Sequence, residues 1–267
     1  MQTYGLGYSL AGLVVGIAVG ATGVGGGSLM TPILILFYGI SPKFAVGTDL
    51  LYASISKSWG VVLHQRNGSM AWPIVGWLSL GSVPGAIAML LFIQSHGSSA
   101  DLDRLIKLTL AIAVMTTATF TLLQEPILKL VKRSENASGV GVLERNQKLG
   151  TVLSGLLIGA VVTISSVGAG VIGMMLLMML YPKEQPLRLV GADLAHAVLI
   201  TGLAGLGHAK LGTVDYALLG WLLLGAIPGI WIGSRLGFRM DAKALKRAIA
   251  VMLIVAGSMT LYKAISG

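Results

Sequence analysis

Three charged residues sit where charge is expensive. Asp49, Lys57 and Asp193 lie inside long apolar runs, and His196 follows Asp193 by three residues, so both share one helix face. Intramembrane ionisable groups mark a pathway or a proton relay. Asp49, Asp193 and His196 are therefore candidates for proton coupling or for support of a site, and Lys57 is a candidate counter-charge for an anion. The same carboxylates could instead cap a helix or hold broken backbone by accepting its N–H bonds. His64 and His208 fall at helix ends, where an interfacial position is expected.

Two glycine-rich interruptions supply the other half of the chemistry. One runs Thr22-Gly23-Val24-Gly25-Gly26-Gly27-Ser28, the other Ser165-Ser166-Val167-Gly168-Ala169-Gly170. A half-helix starting inside a membrane offers free N–H groups and a positive dipole end, and glycine lets a ligand approach that backbone. Together they make an anion site. Gly25, Gly26, Gly27 and Ser28 are the first candidates, with Gly168, Ala169 and Gly170 as their counterparts and Thr22, Ser165 and Ser166 as hydroxyl donors. The competing reading is close helix packing by small residues. No phosphate-binding Gly-x-x-x-x-Gly-Lys-Ser/Thr loop occurs, and there is no cysteine for a thiolate metal site. The reading calls for no cofactor, no metal and no enzymatic reaction.

The elements that must position these residues follow from composition. Of 267 residues 55% are hydrophobic and only 11% charged, against about 25% charged in a soluble domain. This excludes a soluble enzyme and a disordered chain. Six stretches read as single spanning helices: 42–64, 70–94, 102–123, 186–208, 213–236 and 243–265. Two further stretches, 8–38 and 149–181, are each too long for one span and carry the glycine interruptions. Residues 124–147 read as a polar linker between halves. Pro84 and Pro228 are expected to kink matching helices. The first twenty residues lack Lys and Arg, so they read as mature sequence rather than a signal peptide.

The chain repeats internally. Val24-Gly25 matches Val167-Gly168 at an offset of 143 residues. After one insertion, Val46-Gly47-Thr48-Asp49-Leu50 matches Val190-Gly191-Ala192-Asp193-Leu194, and His64, Gly68 and Pro84-Gly85 match His208, Gly212 and Pro228-Gly229. If each broken element is a re-entrant hairpin, each half has three spans and the halves are inverted. One side then collects thirteen Lys/Arg residues: Arg66, Lys183, Arg188, the cluster from Lys129 to Lys148 and the cluster from Arg235 to Arg247. The other collects Lys43, Arg104, Lys107, Lys210 and Lys263, with Lys57 left inside the membrane. If the broken elements cross fully, no such bias arises. The charge bias favours inversion with both termini outside. The net charge of +9 is thus a topology signal, and no nucleic-acid partner is expected. The fold expected is an all-α polytopic membrane protein of two inverted repeats. Each repeat is a glycine-broken re-entrant element plus three transmembrane helices, residues 1–123 and 148–267. Such repeats recur in secondary transporters with a midplane site.

On these residues the chain resembles the TauE/SafE family of sulfite and organosulfonate exporters. The resemblance rests on Gly25-Gly26-Gly27 followed by Pro32, on Val46-Gly47-Thr48-Asp49, on His64 with Gly68, and on the recurrence of the pattern after residue 160. It implies proton-driven transport of a small sulfur oxyanion across the bacterial inner membrane, with Thr48 among the binding residues. Partners would be the anionic substrate, protons and membrane lipid. Ala169, Val171 and Ala192 depart from the family pattern, which implies an asymmetric site. Two other classes stay open: a cation or metal-ion transporter or channel using the Asp and His residues, and a non-transporting membrane subunit.

Overall fold

A computed structural model describes residues 5–22, 27–97, 99–134, 146–168, 170–237 and 242–266. The described residues form α-helices without strands. They are α1 Leu6–Thr22, α2 Gly27–Phe37, α3 Pro42–Arg66, α4 Trp72–His96, α5 Ala100–Ser134, α6 Gln147–Ser165, α7 Val171–Leu180, α8 Pro186–Lys210, α9 Tyr216–Gly237 and α10 Ala242–Ser266. Helices are what an apolar chain can form where no water satisfies its backbone. Among the described residues, five segments are long and apolar enough to cross a membrane: Trp72–His96, Asp101–Leu123, Gln147–Ser165, Pro186–Lys210 and Tyr216–Arg235. At 25 residues α3 is also long enough, but the polar residues it carries lower its hydropathy. Large apolar side chains such as Leu80, Leu91, Ile112 and Leu224 face outward, as lipid contact requires.

One expectation is corrected. The segment from 124 was read as linker, but α5 continues to Ser134. Lys, Leu, Gln and Arg are good helix formers, and leaving the membrane does not by itself end a helix. The proline-containing helices α4 and α9 also run unbroken through Pro84 and Pro228.

Both glycine-interrupted stretches fold into helical hairpins. Tyr8 at the start of α1 stacks on Tyr38 just past α2, with ring centroids 4.5 Å apart, and the Tyr38 hydroxyl donates to the Gly7 carbonyl at 2.7 Å. Likewise, the Gln147 amide at the start of α6 donates to the Leu180 carbonyl, and Thr151 Oγ1 lies 2.8 Å from the Tyr181 hydroxyl. Each hairpin therefore begins and ends at the same level. Its first arm is the longer, 17 and 19 residues against 11 and 10.

The hairpins do not pack on their own repeat alone. The first arm α1 lies along α9. A methyl group at Gly12, Gly16 or Gly20 would run into the backbone of Leu222, Ala226 or Ile230, and one at Gly225, Gly229 or Gly233 into that of Ser9, Leu13 or Ile17. The corresponding arm α6 lies along α4, with Gly155 and Gly159 against Leu78 and Ser82, and Gly81 and Gly85 against Val152 and Leu156. Small residues let the backbones approach closely enough for dense van der Waals contact, the main adhesive between helices in lipid. Each hairpin is thus clamped by the second single helix of the other half, α9 or α4.

Between these clamps α3 crosses α8. Gly47 at the start of α3 abuts Thr213 and His208 at the end of α8, and Gly191 at the start of α8 abuts Ser69 and His64 at the end of α3. The two helices are therefore antiparallel. They end in matching turns. His64 Nδ1 lies 2.8 Å from Ser69 Oγ and His208 Nδ1 2.8 Å from Thr213 Oγ1, and Gly68 and Gly212 take φ values of 64° and 69° that suit glycine. His208 is fully buried within the protein, with Nε2 donating to the Thr163 carbonyl at 3.0 Å.

Candidate functional site

The chain breaks after Ser165, and the residues there are held in a set geometry. Ser165 Oγ donates to the Val161 carbonyl at 2.7 Å and accepts from the Val167 amide at 3.2 Å. Ser166 then adopts a left-handed conformation, φ 60°, the sole non-glycine to do so among the described residues. That conformation costs an ordinary residue free energy, and such strain concentrates at functional sites. It turns Ser166 Oγ toward α3, where it donates to Asp49 Oδ2 at 2.9 Å.

The same carboxylate oxygen receives a second hydroxyl, Thr31 Oγ1 from the first turns of α2, at 2.5 Å. One fully buried carboxylate thus joins both hairpins. Asp193, the copy of Asp49 in the second half, is held differently. Its Oδ1 occupies the space that a side chain at Gly173, near the start of α7, would fill. The positions corresponding to Ser166 and Thr31 are Gly23 and Met174 or Met175, none of which has a hydroxyl. The asymmetry expected from the sequence lies here.

Lys57 is buried between the two carboxylates and within electrostatic reach of both. His196 is buried one turn from Asp193, with Nε2 2.8 Å from Ser82 Oγ on α4. Asp49 with Ser166 and Ser165 thus lies on one side of the α3–α8 crossing and Asp193 with His196 on the other, with Lys57 in electrostatic reach of both carboxylates. Gly168 and Gly170 form the second break: the Gly170 and Gly173 amides donate to the Gly168 carbonyl, and the Met174 amide to Gly170. Gly27 opens α2, Ser28 follows in its first turn, and Thr22 ends α1. Gly25, Gly26 and Ala169 lie outside the described residues.

Thr48 is directed elsewhere. Its Oγ1 accepts the Asp215 amide at 3.0 Å, and the Asp215 carboxylate caps the Leu218 amide at the start of α9. In the other half the equivalent positions are Ala192 and Ala71, both buried in the same apolar cluster. A polar pair in one half is thus an apolar pair in the other. Sequence reasoning missed Thr31, Tyr52, Ser82 and Gly173. Tyr52 alone had a usable signal, since it occupies the position of His196 in the repeat. Among the described residues no three His, Asp or Glu side chains cluster as metal ligands would.

An all-helical chain with two helical hairpins and buried charged residues on the crossing helices α3 and α8 has the build of an integral membrane transporter, and its relatives are transporters rather than enzymes. The chain matches the description "Sulfite exporter TauE/SafE" over residues 8–260 and belongs to that family. It is 38% identical to the probable membrane transporter protein YjnA of Bacillus subtilis, over 93% of this chain and 96% of that protein. It is 28% identical to the probable membrane transporter protein YdhB of the same organism, over 93% and 97%. A probable membrane transporter protein of Methanocaldococcus jannaschii, MJ0441, is 25% identical over 91% and 89%. No solved structure matches.

Proposed function

We propose that this transporter moves a small oxyanion, sulfite or a small organosulfonate first, across the bacterial inner membrane by alternating access coupled to protons. The observation that carries the reading is the double hydroxyl contact of Asp49 with Thr31 and Ser166. It puts a buried acid between the two hairpins, held by Thr31 near the start of α2 and by Ser166 just before α7. Helix starts favour anions. Two carboxylates and one lysine leave the centre one negative charge in excess, so admitting an anion calls for proton uptake. Protonating Asp49 weakens its hold on the two hydroxyls and lets the hairpins part.

In this reading the halves are inverted repeats, the hairpins are re-entrant, and both termini face outward. The antiparallel crossing of α3 and α8 and the return of each hairpin to its own level support that topology. The basic clusters then lie on the cytoplasmic side.

The test is flux in proteoliposomes containing the purified chain. Saturable sulfite or sulfonate uptake that grows with an imposed pH gradient supports the reading. Cation movement without anion movement replaces it with a cation carrier, and no flux until a second protein is added makes the chain a subunit.

A further inference from the structure

Among the buried polar atoms of the described residues that lack a hydrogen-bond partner, four stand at matched places near the α3–α8 crossing, Asp49 Oδ1, Tyr52 Oη, Asp193 Oδ1 and His196 Nδ1, and the Ser56 hydroxyl one turn along α3 is within reach of the Tyr52 hydroxyl. Each of the four residues is more than nine-tenths buried. They form two matched dyads. Asp49 and Asp193 are copies in the repeat, and so are Tyr52 and His196. In each dyad the second residue follows the carboxylate by three, so the pair shares a helix face. Because α3 and α8 run antiparallel, the dyads lie on opposite sides of the crossing. Buried polar atoms in a native protein find partners, and where protein supplies none, water does.

The surrounding groups narrow the occupant. Lys57 lies within electrostatic reach of Asp49, Asp193 and His196. Its ammonium opposes a metal cation at this place and leaves water and the proton. From the neighbouring helices, Thr31, Ser166 and Ser82 present only hydroxyls.

We propose that Asp49–Tyr52 and Asp193–His196 are the two ends of one water-bridged proton relay, each dyad serving one side of the membrane, with Tyr52 as its unassigned member. The inference rests on the proton-coupled anion reading above. The proton balance is simple. A proton reaching Asp49 Oδ1 passes through a bridging water to Tyr52 Oη, which gives its own proton onward to water. His196 takes a proton at Nδ1 from water and releases one from Nε2 to Ser82 Oγ, which passes its own hydroxyl proton on to water. One proton enters and one leaves, and no covalent bond to a substrate forms.

The experiment uses the full chain in liposomes and two assays: sulfite counterflow at equal pH, and sulfite uptake under an imposed pH gradient. Tyr52→Phe is expected to lower gradient-driven uptake by roughly tenfold or more while counterflow stays within about twofold. Tyr52→His, which installs the residue of the other half, is expected to restore gradient-driven uptake. His196→Gln, a second variant should Tyr52→Phe fail to fold, is expected to behave as Tyr52→Phe. Unchanged gradient-driven uptake in Tyr52→Phe or His196→Gln overturns the relay, as does an equal fall in both assays, which marks a structural role. Wild-type sulfite transport that ignores the pH gradient overturns the relay and leaves anion transport standing. Wild-type protein that moves no sulfite in either assay overturns both.

Discussion

Ser54 Oγ on α3 donates to the Val198 carbonyl on α8 at 3.2 Å, and the two residues are separated by 144 positions, the repeat interval itself. Each helix meets the other at its own copy of one position. Asp49 and Asp193 both precede that point by five residues, so antiparallel packing sets them apart by roughly 15 Å along the helix axes. Lys57, three residues past it, is left between them.

Gly173 is the sharpest test of how Asp193 is held. Alanine there puts a methyl group on Asp193 Oδ1. Gly173→Ala is expected to reduce sulfite flux as strongly as Asp193→Asn while the protein still elutes as a folded species in detergent. The double variant should lose little more than either single one, because both act on one carboxylate. Additive losses would mean that Gly173 matters for another reason.

The hydroxyl ties of Asp49 should be separable from its charge. Thr31→Val and Ser166→Ala each leave a buried carboxylate oxygen short of a donor, a loss of about 1–3 kcal/mol of stability. A fall in thermal stability with slowed sulfite flux is expected for both. Asp49→Asn is expected to flatten the pH dependence of transport. If transport and its pH dependence both survive that change, Asp49 carries no coupled proton.

The glycine columns predict paired stability effects. Gly16→Ala and Gly225→Ala in the α1–α9 contact, and Gly81→Ala and Gly155→Ala in the α4–α6 contact, force backbone apart. Overpacking of this kind costs roughly 1–3 kcal/mol. Gly76→Ala and Gly220→Ala, matched positions with open space around them, should leave detergent thermal stability unchanged. Equal melting shifts in the two sets would refute the close approach.

Topology can be read by labelling, since the chain has no cysteine and therefore no background. A cysteine at Lys210 is expected to react with a membrane-impermeant maleimide in intact spheroplasts. One at Lys183 should react only after lysis. Reaction of both from outside would rule out the inverted arrangement.

Four of the six expected spans, at Trp72–His96, Asp101–Leu123, Pro186–Lys210 and Tyr216–Arg235, and both interruptions were legible because hydropathy and glycine content are local. The charged members of the centre were legible too, since Asp49, Lys57 and Asp193 stand out against apolar surroundings. Thr31 and Gly173 were not. Their part depends on which hairpin faces which carboxylate, and that is fixed by packing between distant helices. Thr48, named through the family resemblance, makes a contact that the sequence did not foretell. Successive helix residues point about 100° apart, and Thr48 turns to the start of α9 instead. The end of α5 was misplaced because polarity marks an exit from the membrane rather than an end of helix.

The clamping of each hairpin by the opposite half carries an implication for ancestry. A polypeptide the length of one half would leave its hairpin arm without the glycine-lined helix that receives it. Two identical copies inserted in opposite orientations would satisfy each other at every such contact. On the inverted reading, duplication and fusion of an intertwined, dual-orientation dimer would produce these contacts. The protein's mechanical units are accordingly blends of both copies, so cutting the chain between residues 134 and 146 should yield fragments that assemble together and do not survive alone.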